Sequence, residues 1–264
     1  MWTCDQCGLS LPFDPKPPVV CRCKNDDRLV TIQLTGDDLP APTSDRCIVT
    51  VAAGDIASTM WRHTRVPMRE YADRTGADFV ELLGDQCPEY GFANKFRVHQ
   101  VGKRYDRTLF IDADAWIMPH CVNLFDHYPA GACYFYDDRP FLKCETWLAN
   151  ELRWLCDLHD LPPLNERKCL NSGVVLFDRQ HADMWQAPAK PLPKTPCMEQ
   201  NHVMLMAHLL GHDIRPLEIT HNLQWWIRPR WKRLKSTAEI LHWSGCPNKI
   251  RINEIARLAS CGGK

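Results

Sequence analysis

Beyond Arg46 the chain alternates short β-branched apolar runs with segments of helical period, and this alternation constrains the fold more than any other feature. CIVTVAA (47–53), DFVELL (78–83), RTLFI (107–111), CYFY (133–136), GVVLFD (173–178) and EILHW (239–243) read as strands. Helices are expected over Ile56–Arg74, with an interruption near Pro67, and over Ala93–Lys103, Lys143–His159, Glu199–Leu210 and Ile250–Ser260. Strands separated by helical crossovers are predicted to form an α/β fold with a mostly parallel central sheet flanked by helices. The prolines of 188–196 (PAKPLPKTP) withhold donors and fix the backbone, so a surface loop is expected there.

The first 45 residues differ in character. Arg28–Leu34 alternates as a strand does, and Thr35–Asp45 has the Pro, Gly and Asp content of a linker. The expected division is a small module over 1–34, a linker over 35–45 and one α/β domain over 46–264. A chain of 264 residues, 45% of them hydrophobic, can support one core of about 200 residues plus such an appendage. Four of the 14 cysteines crowd into the module as Cys4-x-x-Cys7 and Cys21-x-Cys23. Neighbouring thiolates are unfavourable without a metal, and Gly8 suits the turn of a zinc knuckle, so a zinc-ribbon-like site with structural Zn²⁺ is expected over free thiols or a redox pair. Four thiolates leave no coordination position open, so this zinc is not a catalyst.

Thirty-two basic residues balance 32 acidic ones, which argues against a polyanionic partner for the chain as a whole. No run approaches the ~18 apolar residues of a spanning helix. MWTCDQCGLS is not a leader pattern, and Asn-x-Ser/Thr is absent, so the expectation is a cytoplasmic protein without membrane contact.

The sharpest chemical signal is Asp112-Ala113-Asp114, directly after the apolar run RTLFI. In an open α/β sheet ligands sit beyond the carboxyl ends of strands, and two hard oxygen donors there suit Mn²⁺ or Mg²⁺. The plainer alternative is a strand-end turn. A calcium loop is excluded, because Trp116 and Ile117 stand where it needs another oxygen ligand and a glycine.

Several ordered pieces of the stretch from Cys47 to Lys249 resemble glycosyltransferase family 8, a retaining family with the GT-A fold. They are Lys95-Phe96, Tyr105-Asp106 through Asp112-Ala113-Asp114, Leu170-Asn171-Ser172-Gly173-Val174, Glu199-Gln200 and Leu241-His242-Trp243-Ser244-Gly245. The resemblance implies a GT-A domain that transfers a hexose from a nucleotide diphosphate, expected to be a UDP-sugar, to an acceptor it does not identify. It implies Asp112, Asp114 and His242 as ligands of Mn²⁺ or Mg²⁺, and Glu199, Gln200 and Asn171 as the residues beside the reacting sugar. Lys95, Ala113, Ser172, Gly173, Gly245 and Lys249 would line the donor diphosphate and sugar. Ala52, Ala53 and Asp55 would meet the nucleoside. Glu199 replaces the family's aspartate, and Lys249 lies one residue later than the family's lysine.

Taken singly, Asn171-Ser172-Gly173 also reads as a turn before a strand, and His242 as a partly buried histidine. Trp225–Arg233 combines three indoles with four cations, which suits an amphipathic stretch burying its tryptophans or a platform for acceptor sugars. A nucleic-acid-associated zinc protein and a catalytically idle GT-A-like module are the readings from other classes.

Overall fold

The computed structural model describes residues 29–142, 146–162, 164, 168–195 and 197–261, preceded by a backbone pair at 2–3 and 10–11. Strand β1 (Trp2–Thr3) pairs antiparallel with β2 (Ser10–Leu11). Cys4, Cys7, Cys21 and Cys23, and with them the expected zinc site, lie outside the described residues. The chain continues through β3 (Leu29–Val30), β4 (Arg46–Ala52), α1 (Gly54–Thr75) and β5 (Asp78–Leu83). A 3-10 segment, Pro88–Arg97, leads into α2 (Val98–Gly102), β6 (Arg107–Ile111), β7 (Ala115–Ile117), α3 (Leu124–His127) and β8 (Cys133–Asp137). Then come α4 (Thr146–Leu158), β9 (Leu170–Asp178), β10 (Leu192–Pro193), α5 (Met198–Leu209) and β11 (Ile214–Pro216). The remaining elements are β12 (Leu223–Gln224), α6 (Arg228–Leu234), β13 (Ile240–His242) and α7 (Asn248–Cys261).

The central sheet has the order β11-β8-β9-β6-β4-β5. Only β9 runs against its neighbours, so the sheet is mostly parallel, as the alternating pattern predicts. Every residue of β6 is buried, because both faces of the strand are covered. Phe110 joins a core with Phe135, Phe177 and Trp185 on one face, whereas Leu109 and Ile111 pack with Met68, Tyr71 and Tyr134 on the other. Successive strand residues point to opposite faces, which distributes the run RTLFI between the two cores.

A second sheet, β12-β13-β7, stands beside the first and was not expected from the pattern. Its strands are two or three residues long, and its core gathers Trp243, Leu241, Trp231 and Ile255.

Three local expectations need correction. Helix α1 continues through Pro67, which with Met68 is buried; packing holds a residue that withholds one donor. It stops at Gly76, whose φ of 67° is the left-handed conformation of a glycine cap. The proline-rich segment is not all surface loop, since β10 pairs antiparallel with β3 and Leu192 is fully buried. A two-residue pairing leaves room for proline because little ladder is needed. Asn171-Ser172-Gly173 lies within β9 and forms no turn ahead of it.

The segment 31–45 lacks regular structure but is held to the domain. Arg97 binds the Asp37 carboxylate at 2.5 and 3.0 Å, and the Thr43 N–H donates to Asp78 at 2.8 Å. Seven described cysteines, Cys47, Cys87, Cys121, Cys133, Cys156, Cys169 and Cys246, are buried free thiols. Among the described residues no helix is long and apolar enough to cross a membrane.

Candidate metal centre and donor cleft

The site forms where the two sheets meet. After β6 the Asp112 N–H donates to the Gly173 carbonyl at 2.8 Å, which ties the first aspartate to β9. The Asp114 carbonyl accepts from Trp243 N–H at 3.1 Å, and His242 pairs with Ala115 across β13 and β7. This register carries the histidine to the acidic pair. The Nε2 atom of His242 lies 3.4 Å from Asp114 Oδ1 and 3.6 Å from Asp112 Oδ2. One ligand atom from each of the three lies within 4.8 Å of the others.

Strand β9 contributes through an irregularity. Val175 pairs with Phe135 on β8, but the next partner of Tyr136 is Asn171, so Ser172, Gly173 and Val174 bulge out of that ladder. Bulges of this kind re-aim residues beside binding sites. At 173 only glycine fits, since a Cβ there would lie 2.1 Å from His242 Cε1 and 2.8 Å from Asp112 Oδ2.

The imidazole is fixed from behind. His242 Nδ1 meets the Asn222 side-chain oxygen at 2.8 Å, and Asn222 Nδ2 donates to Asn171 Oδ1 at 3.0 Å. With Nδ1 held by an acceptor, Nε2 is the atom left to face the two carboxylates. It is the atom that would ligate an ion once its proton is lost, as at metal-binding histidines with a second-shell partner. Two carboxylates and an imidazole so arranged fit a divalent ion.

Two cations compensate the acids. Lys95 Nζ lies 2.9 Å from Asp112 Oδ2 and 3.3 Å from Glu199 Oε1, and Arg251 Nη1 lies 2.6 Å from Asp114 Oδ2. Burial opposes a charge on Asp114, yet His242 and Arg251 hold its carboxyl well below the usual range. Burial likewise opposes a charge on His242, but Asp114 and Asp112 push its pKa up to about 9. Glu199 is raised by burial, with Lys95 acting the other way.

These groups open on a cleft of about 950 Å³ whose walls include Val51, Asp85, Phe92, Lys95, Trp226 and Arg251. No protein-family model and no curated protein matches the sequence. Solved structures do match. A glycosyltransferase involved in the glycosylation of the major capsid of PBCV-1 superposes with a TM-score of 0.56 at 14% identity, over 80% of this chain and 99% of that one. Galactosyltransferase LgtC, solved with donor and acceptor sugar analogs, gives 0.53 at 11% identity, over 81% and 95%. The chain has the GT-A fold.

On this GT-A framework Ala53, Asp55, Lys95, Asp112, Ala113 and Asp114 line the cleft. Asn171, Ser172, Gly173, Glu199, Gln200, His242 and Gly245 line it as well. Ala52 is buried in β4 and does not line the cleft. Lys249 is exposed on α7, outside the lining, and Arg251 on the same helix is the cation that reaches Asp114.

Sequence reasoning missed Arg251, Asn222, Gln224 and Asp138. Gln224 Nε2 donates to Asp138 Oδ1 at 2.5 Å, Asn171 Nδ2 donates to Gln224 Oε1 at 3.2 Å, and Trp226 Nε1 donates to the same oxygen at 2.7 Å. Asp138 follows the run CYFYD, and the strand-end logic that singled out Asp112 could have found it. In the Trp/Arg tract, Trp231 is buried edge-on to Trp243 at 5.4 Å. Trp225 lies under Arg228 at 3.9 Å, and Trp226 faces the cleft.

Proposed function

We propose that this GT-A protein is a divalent-metal-dependent, retaining glycosyltransferase that takes a hexose from a nucleotide diphosphate, UDP-hexose by preference. The observation that carries the proposal is the convergence of Asp112, Asp114 and His242 at the cleft, with Lys95 and Arg251 bonded to the same carboxylates. Asp112, Asp114 and His242 would hold Mn²⁺ or Mg²⁺, which when bound supplies a Lewis acid for the departing diphosphate. Lys95 and Arg251 place fixed positive charge beside the oxygen that becomes anionic.

The remaining roles follow from position. Ala53 and Asp55, where β4 gives way to α1, receive the nucleoside. Asn171 and Gln200 are locked to each other at 3.4 Å, and Ser172 N–H donates to Gln200 Oε1 at 3.1 Å, so their polar faces orient the sugar without rotamer loss. Glu199 stands behind them, held by Lys95 and by Ser172 Oγ at 3.4 Å. With no free nucleophile among these groups, the departing phosphate assists attack from the same face. Trp226 offers an apolar wall to the acceptor. The likeness in fold to LgtC, solved with donor and acceptor sugar analogs, supports this placement.

Residues 46–264 form the catalytic domain in this reading, with 35–45 as its strap and 1–34 as a zinc-ribbon-like module whose Cys4, Cys7, Cys21 and Cys23 bind structural Zn²⁺. The free thiols of the domain agree with a cytoplasmic setting.

Calorimetric titration with UDP in Mn²⁺, repeated in EDTA, tests the proposal. Binding should require the ion and weaken by at least about 100-fold in Asp114→Asn. Binding that is indifferent to EDTA and to the substitution would sink it.

A further inference from the structure

A second group of metal-competent side chains lies outside the cleft. His127 closes α3, while Glu218 precedes and His221 ends a 3-10 turn, Ile219–His221, between β11 and β12. One ligand atom from each lies within 4.8 Å of the others. His127 Nε2 and Glu218 Oε1 are 3.3 Å apart, and the rings of His127 and His221 meet at near right angles with centroids 5.2 Å apart. Tetrahedral Zn²⁺ with bonds of about 2.0–2.1 Å sets neighbouring ligand atoms about 3.3–3.4 Å apart. The observed 3.3 Å edge already has that length.

Two imidazoles and one carboxylate form the ligand chemistry of zinc more than of magnesium or calcium. His221 also has the supporting partner common at zinc histidines, because the Glu239 carboxylate stands 3.3 Å from its Nε2. Its Nδ1 is bonded to the Tyr128 hydroxyl at 2.6 Å, and that hydroxyl accepts the Glu218 N–H at 3.0 Å.

We propose that His127, Glu218 and His221 bind a zinc-class ion, with His221 ligating through Nδ1 in place of its bond to Tyr128. The ion would clamp α3 to the segment that delivers Asn222, the neighbour of His221 and the residue that orients His242. This inference does not depend on glycosyl transfer.

The test is Zn²⁺ content of the metal-stripped full chain after reloading and gel filtration, together with thermal melts. Wild type should retain one equivalent more than His127→Ala or Glu218→Gln, both changes at exposed side chains. At 100-fold excess over Kd its Tm should rise by about 5 °C more than theirs. Zinc held by the N-terminal cysteines is common to all three proteins and cancels. Asp114→Asn should keep the extra equivalent even where it has lost UDP binding, which separates this ion from the one in the cleft. Equal zinc content and equal melting shifts in wild type, His127→Ala and Glu218→Gln would overturn the proposal.

Discussion

The two sheets divide the work of the molecule unequally. The six-stranded sheet spans both large cores, and its strands β4, β6 and β9 run for 7, 5 and 9 residues. The three-stranded sheet has strands of two or three residues and one smaller core, yet together with the 3-10 turn that leads into it this sheet delivers His242, Gln224 and Asn222 to the site. Bulk burial makes the larger sheet the main source of stability, while the smaller one adds a core of its own and fixes geometry through a few paired residues. The carboxylates come from one and their imidazole partner from the other. Either sheet alone holds half a site.

The strongest way to break this division is to empty the small core. Trp243 is fully buried and its Nε1 donates to Glu254 at 3.0 Å, so Trp243→Ala should cost about 3–5 kcal/mol in urea unfolding. If the small sheet only positions residues and adds no stability, the unfolding midpoint will stay where it is.

A second substitution strikes the seam itself. In Gly173→Ala the new methyl would occupy the space of His242 Cε1, so Mn²⁺-dependent UDP binding should fall by about 100-fold, some 2.7 kcal/mol. Calorimetry with near-wild-type affinity would show that the histidine can move aside, contradicting a fixed seam.

The most gradual effect is a slope with pH. Asp138 directly follows β8 and accepts from Gln224 of β12, and burial pushes its carboxyl up to about 7 against the hydrogen bonds of Gln224 and Asn171. An unfolded aspartate titrates near 4, so between about pH 4 and 7 the folded chain keeps a proton that the unfolded chain has lost. Its contribution to stability is whole below that window and disappears as pH rises through it, at up to about 1.4 kcal/mol per pH unit. Relative to Asp138→Asn, wild type should lose urea resistance across this range; parallel curves for the two proteins would remove Asp138 from the account.

The same contrast explains what could be read from the residues alone. RTLFI and GVVLFD are long enough to carry a burial pattern, so the central sheet was legible together with the aspartates at its edge. Ala115–Ile117 and Leu223–Gln224 are too short for any period, and Ala115–Ile117 pairs with a strand more than 100 residues away. His242 was found through the resemblance to a family. Arg251 and Asn222 gave no local sign, because their roles exist only after α7 and the 3-10 turn have packed. Pro67 misled because a proline rule is local, whereas the burial of Met68 and Tyr71 that holds α1 is not.

The register that sets His242 against Ala115 has a consequence for the chain as it is made. A polypeptide that has left the ribosome only as far as Gln224 possesses both aspartates, Lys95 and the bulge of β9, but neither the imidazole nor Arg251. Such a nascent chain lacks one of the three side chains that converge at the cleft. The proposed ligand set is therefore completed only once β13 has emerged and paired with β7.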